Sequence, residues 1–186
     1  MLFKYLLMIP VIQILLHRVG TAVSTLPSLE AWLFSALLLL ILTLISLPIG
    51  FYLGFLQVEV LKTSWGTVAS IIIACLFSPA ITEEVFFRVL FLPQLDEKSA
   101  TANLWLWGGL SLATFIVYHP LNALSFYPVG RKTFFDPVFL LLAGFLGIVC
   151  SIAYLQSGSL WLPVAIHWLV VVVWLLLLGG YGKLNT

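Results

Sequence analysis

From Ala31 to Leu56 the chain carries no charged side chain. About 20 predominantly apolar residues suffice to cross the ~30 Å hydrocarbon core of a bilayer as a helix, so a run like this one has few soluble solutions. Further apolar runs lie at 65–93, 137–155 and 160–178, with shorter ones at 2–16 and 104–119. In lipid every backbone N–H and C=O must find a partner within the protein, which leaves only helices and closed barrels as spanning structures. None of these runs alternates in the manner of a barrel strand. The predicted fold is therefore all-α: a polytopic membrane bundle of about six transmembrane helices, with no linker to divide residues 1–186 into more than one domain.

Composition narrows the partners. The chain is 62% hydrophobic and 8% charged with a net charge of +1, so it offers neither the basic surface that nucleic acid requires nor an acidic tail. What remains is the lipid bilayer and molecules within it. Cys75 and Cys150 sit in apolar runs without metal-binding or redox spacing and are expected to be small buried hydrophobes. Gly144 and Gly147 are expected to let helices approach closely.

The first run has Lys4 ahead of it and small residues around Ala22 to Ser24 after it, which is the outline of a cleaved signal peptide. His17 and Arg18 interrupt that outline and favour a retained helix. With a cytoplasmic N-terminus, Lys4, Lys62, Arg131, Lys132 and Lys183 fall inside and Arg18 and Lys98 outside, as the positive-inside rule requires. The same orientation puts Trp32, Trp105, Trp107 and Trp161 at outer helix ends. The segment from Pro120 to Pro137 is then expected along the inner interface.

Against this background the stretch "SPAITEEVFFRVLFLPQL" (78–95) is anomalous, because it places Glu83, Glu84 and Arg88 inside an apolar run. Each ionised side chain near the bilayer centre costs about 2.5–3.5 kcal/mol, so three uncompensated charges would cost on the order of 8–10 kcal/mol. Glu84 and Arg88 stand four residues apart and share a helix face, which predicts an intrahelical ion pair. Glu83 is rotated by about 100° and needs a partner from another helix. His119 and His167, each a lone imidazole in an apolar run, are the candidates. At about 1.5 Å of rise per residue, Glu83 and His167 lie about 15 Å and 12 Å from their outer helix ends, and His119 about 16 Å from Gly108, so all three can meet near mid-membrane. His17, at the end of its run, is expected to be interfacial and without a role. The run 65–93 is too long for an upright span and must tilt, protrude or break near Pro79.

These residues carry a resemblance. "EEVFFR" (83–88) fits an EExxxR motif, "FIVYH" (115–119) fits FxxxH, and "GSLWLPVAIH" (158–167) is similar to the segment before the last histidine of the CPBP family, which comprises CAAX prenyl endopeptidases and bacteriocin-processing, or Abi, intramembrane proteases. The resemblance covers about residues 64–178, with its three motifs in order. It implies an intramembrane endopeptidase acting on membrane-associated protein or peptide substrates, lipidated or not. It assigns Glu83 and His119 to activate a water, His167 to support the oxyanion, and Glu84, Arg88 and Phe115 to support the site. Members regarded as glutamate-type proteases imply that no cofactor is needed, with zinc the less favoured option because HExxH is absent. A bacterial inner membrane or a plastid membrane is the expected location.

One departure stands out. The family usually follows its last histidine with Asn in an HxxxN pattern, whereas Val170 and Val171 occupy these positions here. Asn122, Ser151 or backbone donors would have to replace that amide. A second reading is therefore a catalytically reduced scaffold or immunity-type binding protein with the same fold. A third is a proton-coupled transporter, although the paired broken helices of an inverted repeat are not evident.

Overall fold

The structure, a computed structural model, describes residues 2–95, 97 and 101–185, with backbone alone for 2–10, 101 and 102. Among them there are helices and turns but no strand. Helix α1 spans Leu2–Ser24 and α2 Leu29–Tyr52, the latter started by Ser28, whose hydroxyl accepts from the Ala31 N–H at 3.2 Å. Ser64 caps α3 (Trp65–Cys75) in the same way through Thr67. The path continues through wide π-type turns at Leu76–Ile81 and Val85–Val89 on either side of the single turn α4 (Thr82–Glu84). Helix α5 runs Thr101–Ser125, and a 3₁₀ turn at Pro128–Gly130 leads into the short α6 (Arg131–Phe134). Asp136 caps α7 (Pro137–Ser157), Gly158 ends it with φ 65°, and α8 (Trp161–Leu177) and α9 (Gly180–Leu184) complete the bundle.

Among the described residues, four helical stretches are long and apolar enough to cross a membrane: Leu29–Tyr52, Trp65–Val89, Asn103–Ser125 and Pro137–Ser157. Val11–Ser24 and Trp161–Leu177 are apolar but shorter. The six elements coincide with the six expected from sequence, with two informative differences. The long third span breaks rather than simply tilting, because Ser78 leaves the helical region (φ −137°, ψ 117°). Proline disfavours helical geometry in the residue before it and has no N–H to donate, so the interruption falls at Ser78–Pro79. The fourth span does not stop at His119. It carries Pro120 inside the helix and continues to Ser125.

Helix α7 is the hub, flanked by α2, α5 and α8. Its inward positions are Ala143, Gly144, Leu146, Gly147, Val149, Cys150, Ala153 and Tyr154, small enough in the middle for close approach from three sides. Gly147 is the tightest: a β-carbon there would come within 2.8 Å of Leu112 and 3.1 Å of Phe115. At Gly144 the nearest neighbour would be Ile116 at 3.4 Å, an ordinary contact, so the space requirement expected at both glycines falls on Gly147.

Helix α1 is built into the bundle and extends past the run 2–16, because its polar residues find protein partners. The Arg18 guanidinium donates to both oxygens of Glu97 at 2.7 and 2.6 Å and to the Leu90 carbonyl at 2.9 Å, while Gln94 donates back to the Arg18 carbonyl at 3.2 Å. At the same end the Leu160 N–H donates to Ala22 at 2.9 Å, the Ser159 hydroxyl to Thr25 at 2.7 Å and the Trp161 indole to Val23 at 2.9 Å. The contacts join the end of α1 to the start of α8 and to the segment following Arg88. Arg18→Ala removes one fork of charge-assisted bonds and orphans the Leu90 carbonyl, and is expected to destabilise the detergent-solubilised protein by about 1–3 kcal/mol in chemical unfolding. An Arg18→Ala/Glu97→Ala double variant that loses the sum of the two single effects would show that the pair is not coupled.

Candidate functional site

Three elements deliver the charged and imidazole groups. The segment after the Pro79 break carries Glu83, Glu84 and Arg88, all buried. Helix α5 contributes Phe115 and His119, and α8 contributes His167, both histidines being buried as well. The Ser111 hydroxyl of α5 donates to the Phe87 carbonyl at 2.6 Å and the Trp168 indole of α8 donates to the Ile72 carbonyl at 2.8 Å, so both helices are fixed to the broken span.

Glu84 is the centre of the polar cluster. One oxygen accepts from His167 Nδ1 at 2.6 Å, and the other lies 3.1 Å from Arg88 Nε in an ion pair whose geometry is not that of a hydrogen bond. The predicted Glu84–Arg88 pair is thus present, but the bond from Glu84 to His167 was not legible: sequence spacing orders residues along one helix and says nothing about the azimuth of another. Arg88 donates through a terminal nitrogen to the Gly147 carbonyl at 3.1 Å and lies over the Phe115 ring at 4.4 Å. Phe115, from the FxxxH motif, therefore forms a cation–π floor under Arg88 and meets the rings of His119 and His167 edge-on at 5.0 and 6.1 Å. Cys150 is fully buried and unpaired, as expected, but its thiol also borders Glu84 and points at the Pro163 carbonyl at 3.6 Å.

Glu83 reaches a partner on another helix, as its position required. Its Oε2 lies 3.9 Å from His167 Nε2 and has no hydrogen-bond partner among the described residues. His119 does not pair with Glu83 directly. Its Nδ1 lies 2.9 Å from the Phe115 carbonyl, one turn back on its own helix. A carbonyl can only accept, so Nδ1 carries the hydrogen, and Nε2 is the nitrogen that presents a lone pair when the ring is neutral. Pro120 withholds the N–H that the Ile116 carbonyl would otherwise receive, so the carbonyl next in the chain to that of Phe115 lacks its helical donor.

Glu83, His119 and His167 line one cavity of about 850 Å³ together with Ser78, Pro79, Tyr118 and Asn122. Most of the remaining wall is apolar and comes from α2, α7 and α8, including Val170 and Val171. Asn122 accordingly faces the same space as the site. Ser151 does not, since its hydroxyl donates to the Gly147 carbonyl on its own helix at 2.8 Å. His17 is exposed on α1 and is not part of the cavity wall. Among the described residues, no group of three or more His, Cys, Asp and Glu side chains is placed to hold a metal ion jointly.

Residues 64–173 match the family model described as type II CAAX prenyl endopeptidase Rce1-like. The chain belongs to this family. The matched region begins at the cap of α3 and ends within α8, so it contains every residue of the polar cluster, while α1 and α2 lie outside it. Membership places the protein among CAAX-type intramembrane proteases, which act on membrane-associated peptides or proteins. No curated protein and no solved structure matches the chain.

The Rce1-like site depends on Arg88 being neutralised where water cannot do it. Arg88→Met strands Glu84 beside His167 and is expected to lower unfolding free energy by about 3–5 kcal/mol. Adding Glu84→Gln to Arg88→Met removes the stranded charge and should recover a large part of that loss in the same unfolding assay.

Proposed function

We propose that this protein is an intramembrane endopeptidase in which Glu83 and His119 activate a water and His167 supports the oxyanion. The observation that carries the reading is the shared cavity: a buried carboxylate oxygen without a donor and two imidazoles line one largely apolar space. Water held between Glu83 and the Nε2 face of His119 would lose a proton to this pair as its oxygen attacks the scissile carbonyl. His167 Nε2, carrying the hydrogen, would donate to the oxygen that becomes negative, and Glu84 on Nδ1 would stabilise the charged ring. The proton taken from water then passes to the leaving amine as the C–N bond breaks. The products are a carboxylate and an amine, with no atom left unaccounted for. Glu84, Arg88 and Phe115 act by holding His167 and Glu83 in place.

In this reading residues 1–186 work as a single unit, the N-terminus is cytoplasmic, and the substrate is a membrane-associated polypeptide, lipidated or not, in a bacterial inner membrane or a plastid membrane. As drawn, the mechanism needs no metal ion. Purified protein should keep its activity after exhaustive chelation. Loss of activity restored by zinc would replace the glutamate mechanism with a metalloprotease one.

Val170 and Val171 favour a second reading, in which the fold is kept as a binding scaffold, since they wall the cavity where the family usually places an amide. Loss of one oxyanion donor costs about 3–4 kcal/mol, unless Asn122 or a backbone N–H substitutes. Comparison of membrane-proteome termini in cells carrying wild type or Glu83→Gln at equal abundance separates the two. Proteolysis predicts a set of termini reduced by about 100-fold or more in the variant. Identical termini, with function rescued by both proteins, would favour the scaffold.

A further inference from the structure

One end of the bundle combines basic and apolar exposure outside the catalytic cluster. Lys62, Arg131, Lys132 and Lys183 lie there, with Glu59 and Asp136 as the acids. Both acids are engaged elsewhere: Glu59 accepts from Gln57 at 2.9 Å, and Asp136 accepts from the backbone of Val138 at 2.8 Å. Among the described residues neither Arg131 nor Lys132 has an ion-pair partner. The two cations border a surface hollow of about 700 Å³ that is completed by Pro128, Val129 and Phe135. Arg131 lies over the Phe135 ring at 5.7 Å. The neighbouring apolar side chains are exposed, Phe126 at 86%, Val129 at 57% and Phe135 at 46%. Water is a poor solvent for such a surface. An anion with hydrocarbon attached suits it, because the phosphate neutralises the cations and the acyl chains cover the apolar rim.

We infer that Arg131 and Lys132, with Phe135 and Val129, bind the headgroup of an anionic phospholipid, and that this lipid braces the wall of the catalytic cavity. The bracing follows from the geometry of the same short segment. Phe134, two residues after Lys132, turns inward and packs its ring against His119 at 5.7 Å and Phe139 at 5.4 Å. The Thr133 hydroxyl donates to the Lys183 carbonyl at 2.7 Å, tying in α9. Gly130 is pressed so closely on Tyr127 and Phe134 that a β-carbon would come within 2.7 and 3.2 Å of them. Outward cations and the inward ring against His119 are therefore carried by one tightly packed turn. The lipid site does not depend on whether Glu83 hydrolyses a peptide.

The test uses the full chain in a neutral detergent, titrated with phosphatidylglycerol, phosphatidylcholine or inorganic phosphate, with bound lipid read by native mass spectrometry and stability by thermal unfolding. Phosphatidylglycerol is expected to bind and raise Tm, and phosphatidylcholine and phosphate to do neither. In Arg131→Gln/Lys132→Gln the affinity should fall about 10- to 30-fold, as the loss of two near-surface charges implies, while Lys62→Gln leaves it unchanged. Equal binding of phosphatidylcholine by the wild type overturns the proposal without recourse to any variant. So does equal stabilisation by inorganic phosphate, or undiminished phosphatidylglycerol binding in the double variant.

Discussion

The Glu84 carboxylate, held between Arg88 and His167 in the interior of a membrane bundle, is the interaction on which the rest of this site depends. An isolated charge there would be opposed by several kcal/mol of desolvation, and the pairing removes most of that opposition only while all three partners stay in register. Each partner is in turn fixed by something apolar or backbone-derived. Arg88 rests on the Phe115 ring and the Gly147 carbonyl, which requires α7 to come so close that position 147 has no room for a side chain. His167 is delivered by α8, whose neighbouring Trp168 is anchored to the broken span. Electrostatics and close helix packing are thus one constraint.

The break at Ser78–Pro79 is the second determinant. An unbroken helix would run its acidic turn straight through the bundle as one more packed surface. Interrupting it, with wide π-type turns on both sides of α4, brings Glu83 to a cavity wall while Glu84 turns into the core. Adjacent carboxylates acquire different surroundings in this way: Glu84 accepts from His167 and lies against Arg88 in the core, while Glu83 has an oxygen without a donor among the described residues at the cavity wall. Pro120 has a comparable local effect on α5, where it leaves the Ile116 carbonyl without its helical donor. Irregular backbone of this kind is tolerated at membrane depth where protein or a cavity, rather than lipid, surrounds it.

The family match covers α3 to α8 and leaves α1 and α2 outside, yet both outer helices participate. Helix α1 clamps the end of the segment that carries Glu83, Glu84 and Arg88 through Arg18, and α2 supplies Leu39, Leu42, Thr43, Ser46 and Leu47 to the cavity wall. The polar cluster thus lies within the matched region, in a cavity that this chain partly builds from residues beyond it.

The sequence by itself determined that the chain is a helical membrane bundle, where its six apolar elements lie, that Glu84 and Arg88 pair, and that Glu83 needs a partner on another helix. These follow from one-dimensional quantities: run length, hydropathy, the spacing of charges along a helix and the high desolvation penalty of leaving a charge alone in lipid. Of the tilt, protrusion or break that the long third run left open, the structure takes the break at Ser78, whereas Pro120 lies inside its helix, because a missing donor ends a helix only when nothing else supports the turn. Tertiary structure alone decided that His167 bonds Glu84 as well as facing Glu83, that His119 bonds its own helix, that Gly147 rather than Gly144 is the point of closest approach, and that Cys150 borders the polar cluster. Each of these depends on how one helix is rotated and displaced against another. That arrangement is settled by the combined fit of all the side chains, and no local pattern of residues encodes it.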